Sequence, residues 1–221
     1  MQNRRDWTIW VLSGVVGIIF WWMVFFYAPR EKQMGDVQRI FYMHLPLAWT
    51  ATLAFLISAV MHAGALIRRR WTWIALGWAH AWCGFIMSLL VLGTGMCWAK
   101  PIWGSWWPWE PRLTSMFILV VMYGAYLVLY EVMTPERRFQ PLAAYNLLCA
   151  INIPVVMVAP RIWRGLHPVV IQQGKIQLEP RMWYTTLVGL AWMLTIYYFW
   201  YRGASIYARL RIQMSRSLSN A

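Results

Sequence analysis

Residues 73–98 read WIALGWAHAWCGFIMSLLVLGTGMCW, a run without a single Asp, Glu, Lys or Arg. A helix rises about 1.5 Å per residue, so this stretch is long enough to cross a hydrocarbon core roughly 30 Å thick. Backbone polar groups in lipid must be satisfied within their own segment, and the run therefore reads as a transmembrane helix. Working outward, five more apolar runs appear, at 7–27, 45–67, 113–133, 142–159 and 182–201. The predicted fold class is all-α: a polytopic integral membrane protein, a bundle of six transmembrane helices forming one membrane domain over residues 1–221. Composition agrees, with 61% hydrophobic and only 12% charged residues. Arg4 and Arg5 before the first span mimic a secretory signal. That span is longer than a signal core, however, and Phe25, Phe26, Tyr27 and Pro29 make no small-residue cleavage site, so a retained helix is expected. The fifth span carries Asn146, Asn152 and Pro154 and reads as a bent helix packed inside the bundle.

A formal net charge of +13 raises the question of nucleic acid. The basic residues lie in the short gaps between apolar runs, where they set membrane orientation, and nucleic acid is not an expected partner. Arg4 and Arg5, the Arg68-Arg69-Arg70 turn, the Arg137-Arg138 loop and a tail with Arg202, Arg209, Arg211 and Arg216 alternate with longer, less densely basic connections. By the positive-inside rule both termini belong in the cytoplasm. Connections 28–44, 99–112 and 160–181 then share the outer face. Cys83, Cys97 and Cys149 form no CxxC or CxxCH, which excludes a paired zinc knuckle and covalent c-type haem attachment. No GxxxxGK[ST], HExxH or GxSxG occurs, so neither ATP hydrolysis nor those hydrolytic chemistries are expected of this chain.

The connection after the third span is Lys100-Pro101-Ile102-Trp103-Gly104-Ser105-Trp106-Trp107-Pro108-Trp109-Glu110-Pro111-Arg112. An interfacial aromatic belt accounts for one or two tryptophans per helix end, but not for Trp103, Trp106, Trp107 and Trp109 broken by glycine and proline. Helical spacing would let these rings share a face, as a platform for a large, flat, apolar ligand. His44, just before Pro46, and His167, just before Pro168, are expected at the same aqueous edge. Haem would use all of these parts. Imidazoles can ligate iron, indoles can cover the porphyrin, and Lys100, Arg112, Arg161 or Arg164 can pair with propionates. Interfacial snorkelling explains any one of those cations equally well. Glu110 could orient a histidine ligand or pair with Arg112, and Met43 and Met96 stand near enough to be weak ligands.

His62 and His80 fall inside spans two and three, near their inner ends. They could meet across adjacent helices and hold a second haem or a quinone, which would make the chain a b-type electron carrier. A helix-to-helix hydrogen bond explains each more simply. A third reading is a plain permease subunit whose aromatic loop only anchors the bundle. Glu131 is expected to face headgroups or arginines at the inner end of span four.

The run Trp103-Gly104-Ser105-Trp106-Trp107-Pro108-Trp109-Glu110-Pro111-Arg112-Leu113-Thr114, with His44 in Tyr42-Met43-His44-Leu45-Pro46 and His167 in the last outer loop, resembles the tryptophan-rich signature of the cytochrome c maturation protein C (CcmC, or HelC) family. Glu110 stands where the family's usual aspartate would be, and Pro111 and Pro168 occupy positions that are commonly not proline. The resemblance implies a non-enzymatic haem-handling protein of the bacterial inner membrane. It implies haem b held at the periplasmic face by His44 and His167, with Trp103, Trp106, Trp107, Trp109, Glu110, Arg112 and Lys100 around it. It further implies delivery to a haem chaperone, cytochrome c maturation protein E, and association with an ABC-type membrane subunit, its ATPase and a small single-span subunit.

Overall fold

The computed structural model describes residues 2–133, 139–163, 167, 170–172 and 175–219, with side chains left out at 2–6, 160–161, 171–172, 175–176 and 215–219. Arg4, Arg5, Arg137, Arg138, Arg161, Arg164, Pro168, Lys175 and Arg216 therefore lie outside the described residues or side chains. The architecture is an all-α bundle of six helices: α1 (Gln2–Trp22), α2 (Ile40–Arg68), α3 (Trp71–Trp103), α4 (Pro111–Val132), α5 (Phe139–Ile162) and α6 (Pro180–Ser219). A two-residue antiparallel hairpin, β1 (Ile171–Gln172) and β2 (Lys175–Ile176), lies between α5 and α6.

Five of the six are long and apolar enough to cross a membrane, with α1 counted through a π-helical turn at Met23–Tyr27. Tyrosines, tryptophans and threonines in α6, among them Trp183, Thr185, Thr186 and Tyr197, lower its hydropathy, yet it packs against α1, α2 and α3 as the sixth member of the bundle. Large apolar side chains such as Ile18, Phe26, Val60, Ile67 and Val128 face outward. That surface is the inverse of a water-soluble one and fits lipid.

The α2/α3 hairpin is the centre of the bundle. Arg69 adopts the left-handed conformation (φ 49°) and its N–H bonds the Ala65 carbonyl at 2.8 Å, which closes the three-arginine turn. Gly64 and Gly84 keep the two helices close, because a Cβ at either would stand 2.6 Å from the ring of Trp73 or Phe55. α5 joins through buried amides. Asn146 Nδ2 donates to Ser58 Oγ of α2 at 2.9 Å, and Asn152 Nδ2 donates to the Ser115 carbonyl of α4 at 3.0 Å. α1 sits on α6, with a 2.7 Å hydrogen bond between the Ser13 and Thr195 hydroxyls and stacked Trp10 and Phe199 rings.

Two helices run five residues or more beyond their predicted C-terminal ends. α3 continues from Trp98 to Trp103 and stops where Gly104, at φ 76°, caps it. α6 continues from Tyr201 to Ser219 because Ala204, Ala208 and Ile212, four residues apart, bury one stripe of the extension. Arg211 on this extension pairs with the Glu131 carboxylate and donates to the Glu131 carbonyl at 3.2 Å, satisfying the end of α4.

Candidate functional site

Three chain segments meet at one end of the bundle. The 3₁₀ turn Asp36–Arg39 carries Gln38 and leads into α2, which carries His44; the end of α3 brings Gly95, Trp98 and Trp103; the start of α4 brings Arg112. The connection between α5 and α6 adds His167, Val170, Gln177 and Leu178. Together they line a cavity of about 750 Å³. This is within the roughly 300–1,000 Å³ typical of small-molecule sites. Pro46, two residues after His44, removes the helical bond to the Tyr42 carbonyl.

The imidazoles of His44 and His167 stand 6.1 Å apart, centroid to centroid, with their planes inclined by 43°. Two metal–nitrogen bonds of about 2 Å each, plus the ring radii, would set two axial imidazoles on one iron about 6 Å apart. His44 Nδ1 lies 2.9 Å from Thr94 Oγ1. The threonine hydroxyl donates back to the Leu90 carbonyl at 2.8 Å, so its oxygen accepts from His44 Nδ1–H. That contact leaves Nε2 unprotonated and available as a ligand. His167 Nδ1 is buried without a hydrogen-bond partner. Burial above all, then the nearby Arg112 guanidinium and His44, pushes the His167 pKa down to about 3. Burial thus keeps this imidazole neutral, with one ring nitrogen unpartnered.

The tryptophan segment divides. Trp103 lines the cavity, and Trp98 meets it edge-to-face at 4.9 Å and lines the same wall. Trp106 and Trp109 are exposed outside the cavity, at 52% and 76%. Trp107 is half-buried, edge-on to Trp109 and Phe117 at 5.7 Å each, and its indole nitrogen is buried without a partner. The expectation that helical spacing puts these rings on one face does not hold, because Gly104 ends α3 and residues 105–110 are not helical. Glu110 is buried and caps α4: its Oε1 accepts from Leu113 N–H at 2.7 Å, with Pro111 in the first helical position. The other carboxylate oxygen, Oε2, has no partner. Lys100 is exposed and its Nζ donates to the Gly104 carbonyl at 3.2 Å, so it serves the end of α3. Of the propionate candidates with described side chains, Arg112 alone lines the cavity.

His62 and His80 turn to different neighbours. His62 Nδ1 donates to the Ser58 carbonyl at 2.7 Å and Nε2 lies 2.7 Å from Tyr126 Oη on α4, so both ring nitrogens are occupied. His80 Nδ1 bonds Tyr197 Oη on α6, and its ring stacks on Tyr201 at 4.1 Å. Neither lines the cavity. Sequence reasoning missed Gln38 as a wall residue and Thr94 as the hydrogen-bond partner of His44. The one signal for Thr94 was a small polar residue between two glycines in a transmembrane span.

The heme exporter protein C family matches residues 1–219 of this chain. Heme exporter protein C of Rhodobacter capsulatus is 35% identical over 171 residues, covering 76% of this chain and 71% of that protein. The protein of the same name from Escherichia coli K12 is 31% identical over 172 residues, covering 76% and 67%. The one from Bradyrhizobium diazoefficiens is 32% identical over 141 residues, covering 63% of this chain and 54%, about half, of that relative's length. With a match that runs from end to end and relatives more than 30% identical, the chain belongs to the heme exporter protein C family.

Proposed function

We propose that this membrane protein binds haem b at the outer, periplasmic end of the bundle and presents it to an acceptor during cytochrome c biogenesis. The observation that carries this reading is the pair of imidazoles 6.1 Å apart across the wall of one cavity. His44 and His167 would ligate the iron of the cargo from opposite faces. Trp103 covers the porphyrin, and Arg112 pairs with a propionate. Trp106, Trp107 and Trp109 form an apolar rim next to the mouth, and Glu110 fixes the start of α4 so that Arg112 is held at the site. The chain works by binding and release, not by turnover of a substrate.

Delivery goes to a haem chaperone of the cytochrome c maturation protein E type. An ABC membrane subunit, its ATPase and a small single-span subunit supply the energy that this chain has no motif to harvest. The protein sits in the bacterial inner membrane with both termini cytoplasmic, which is supported by the arginine density of the inner connections. The test is transfer. Haem-loaded protein in vesicles is mixed with soluble apo-chaperone and the Soret band is followed on each. Movement of haem to the chaperone, lost with His44→Ala or His167→Ala, is expected. Haem that never binds, or binds equally to both variants, would overturn the reading.

A further inference from the structure

The cavity does not end at the outer connections. Its wall follows one stripe of α2 from His44 through Ala48, Thr52 and Leu53 to Leu56, and α5 faces that stripe from Ile153 to Val158. Leu56 lies about 18 Å along the helix axis from His44 at about 1.5 Å per residue, more than half of a hydrocarbon core. Four of these lining side chains are exposed: Leu53 at 41%, Leu56 at 47%, Met157 at 55% and Val158 at 39%. The α2 stripe then continues without a break into Val60 and Ile67, which face outward and take no part in the cavity. The cavity wall thus merges with the lipid-facing surface between α2 and α5.

The local chemistry explains a gap at this place. Toward the inner end the two helices are tied by the buried Asn146–Ser58 hydrogen bond. Above the tie, Pro154 lines the cavity and leaves the Ala150 carbonyl of α5 without its helical donor. Imidazole, guanidinium and amide groups collect at the outer end, His44, His167, Arg112, Gln38 and Gln177, while the Thr52 hydroxyl below them is turned to the Ala48 carbonyl. Below them the lining is almost entirely apolar. A slot that is polar at headgroup level and apolar below has the amphiphilic profile of a porphyrin lying in a bilayer with its carboxylates at the interface.

We propose that the gap between α2 and α5 is a lateral portal through which the tetrapyrrole passes directly between the lipid and the histidine pair. The proposal rests on the haem-binding reading above and adds the route. Because a portal serves both directions, closing it changes rates of loading and loss together and leaves the occupied site unchanged.

The experiment uses the full chain in vesicles, loaded from haem dissolved in the bilayer of donor vesicles. Leu53→Trp with Met157→Trp narrows the gap from both sides at positions that already face outward, and Leu53→Phe alone gives a milder version. Val60→Trp, on the same helix but outside the cavity, is the control. The double variant should load about tenfold more slowly and release haem into empty vesicles more slowly by the same factor, reaching the wild-type Soret spectrum at its end point. The Leu53→Phe variant should fall between, and Val60→Trp should match wild type. Wild-type rates in both gap variants, or equal slowing by Val60→Trp, would overturn the portal. So would loading that succeeds for the isolated chain but fails in the assembled complex, because a partner helix would then occupy the gap. A wild-type protein that never develops a spectrum dependent on His44 and His167 would instead defeat the haem-binding reading, and the portal with it.

Discussion

Replacing Thr94 with valine keeps the shape of the side chain and removes one acceptor. Thr94 Oγ1 receives the Nδ1 proton of His44 at 2.9 Å while its own hydrogen goes to the Leu90 carbonyl at 2.8 Å. In Thr94→Val the imidazole N–H is left half-buried without that partner, at a cost of about 1–3 kcal/mol, and the ring is no longer held with Nε2 toward the cavity. At about 1.4 kcal/mol per tenfold, haem affinity should fall roughly 10- to 100-fold. This is also about the range seen when the outer hydrogen-bond partner of a metal-ligating histidine is removed. The assay is the rate of haem loss from the purified chain to an excess of a soluble haem scavenger. The variant should lose haem faster while what remains keeps the wild-type spectrum, and Thr94→Ser, which retains the hydroxyl, should stay near wild type. Retention within twofold of wild type in Thr94→Val, or an equal loss in Thr94→Ser, would refute the reasoning.

Proton competition gives a second expectation. The His167 pKa is lowered from 6.5 to about 3, so its imidazole stays neutral as pH falls, and haem retention should be level between pH 8 and 5. An unperturbed histidine would weaken binding about tenfold per unit below pH 6.5, and a retention midpoint near 6.5 would contradict the lowered value. Trp103→Leu should reduce copurified haem by about fivefold, equivalent to about 1 kcal/mol of ring contact, whereas Trp106→Leu and Trp109→Leu should leave it near wild type. Equal losses in all three would restore a shared platform. His62→Ala removes the buried hydrogen bonds from this ring to the Tyr126 hydroxyl and the Ser58 carbonyl, at about 1–3 kcal/mol in all. Thermal stability in detergent should drop while the haem spectrum stays unchanged, and loss of a low-spin signal would instead make His62 a ligand.

Much of the fold was legible because lipid imposes a simple rule. Each apolar run long enough to span marks a helix: four of the six runs lie within their helices, the first runs on through the π turn after α1, and the fourth ends one residue past α4. The ends were less legible. The extension of α6 depends on a stripe of two alanines and an isoleucine, too short and too weakly apolar to announce a helix, and on an arginine that finds Glu131 only in three dimensions. At the site, the parity of the connections brought His44 and His167 to one end, since an even number of spans separates them. The tryptophan cluster was misjudged because Gly104 ends α3 immediately after Trp103, which leaves one indole on the cavity wall and turns two outward. Thr94 as hydrogen-bond partner, and the tyrosines that satisfy His62 and His80, belong to other helices. No periodicity in the sequence reports such pairings.

The central claim is that His44 and His167 close on one iron from opposite sides. Low-temperature electron paramagnetic resonance of the purified chain loaded with ferric haem reads the axial ligands directly. A low-spin bis-imidazole signal is expected in the wild-type protein, replaced by a different ligation state in His44→Ala and again in His167→Ala. A wild-type signal without two nitrogen ligands, or an unchanged signal in either variant, would contradict the account.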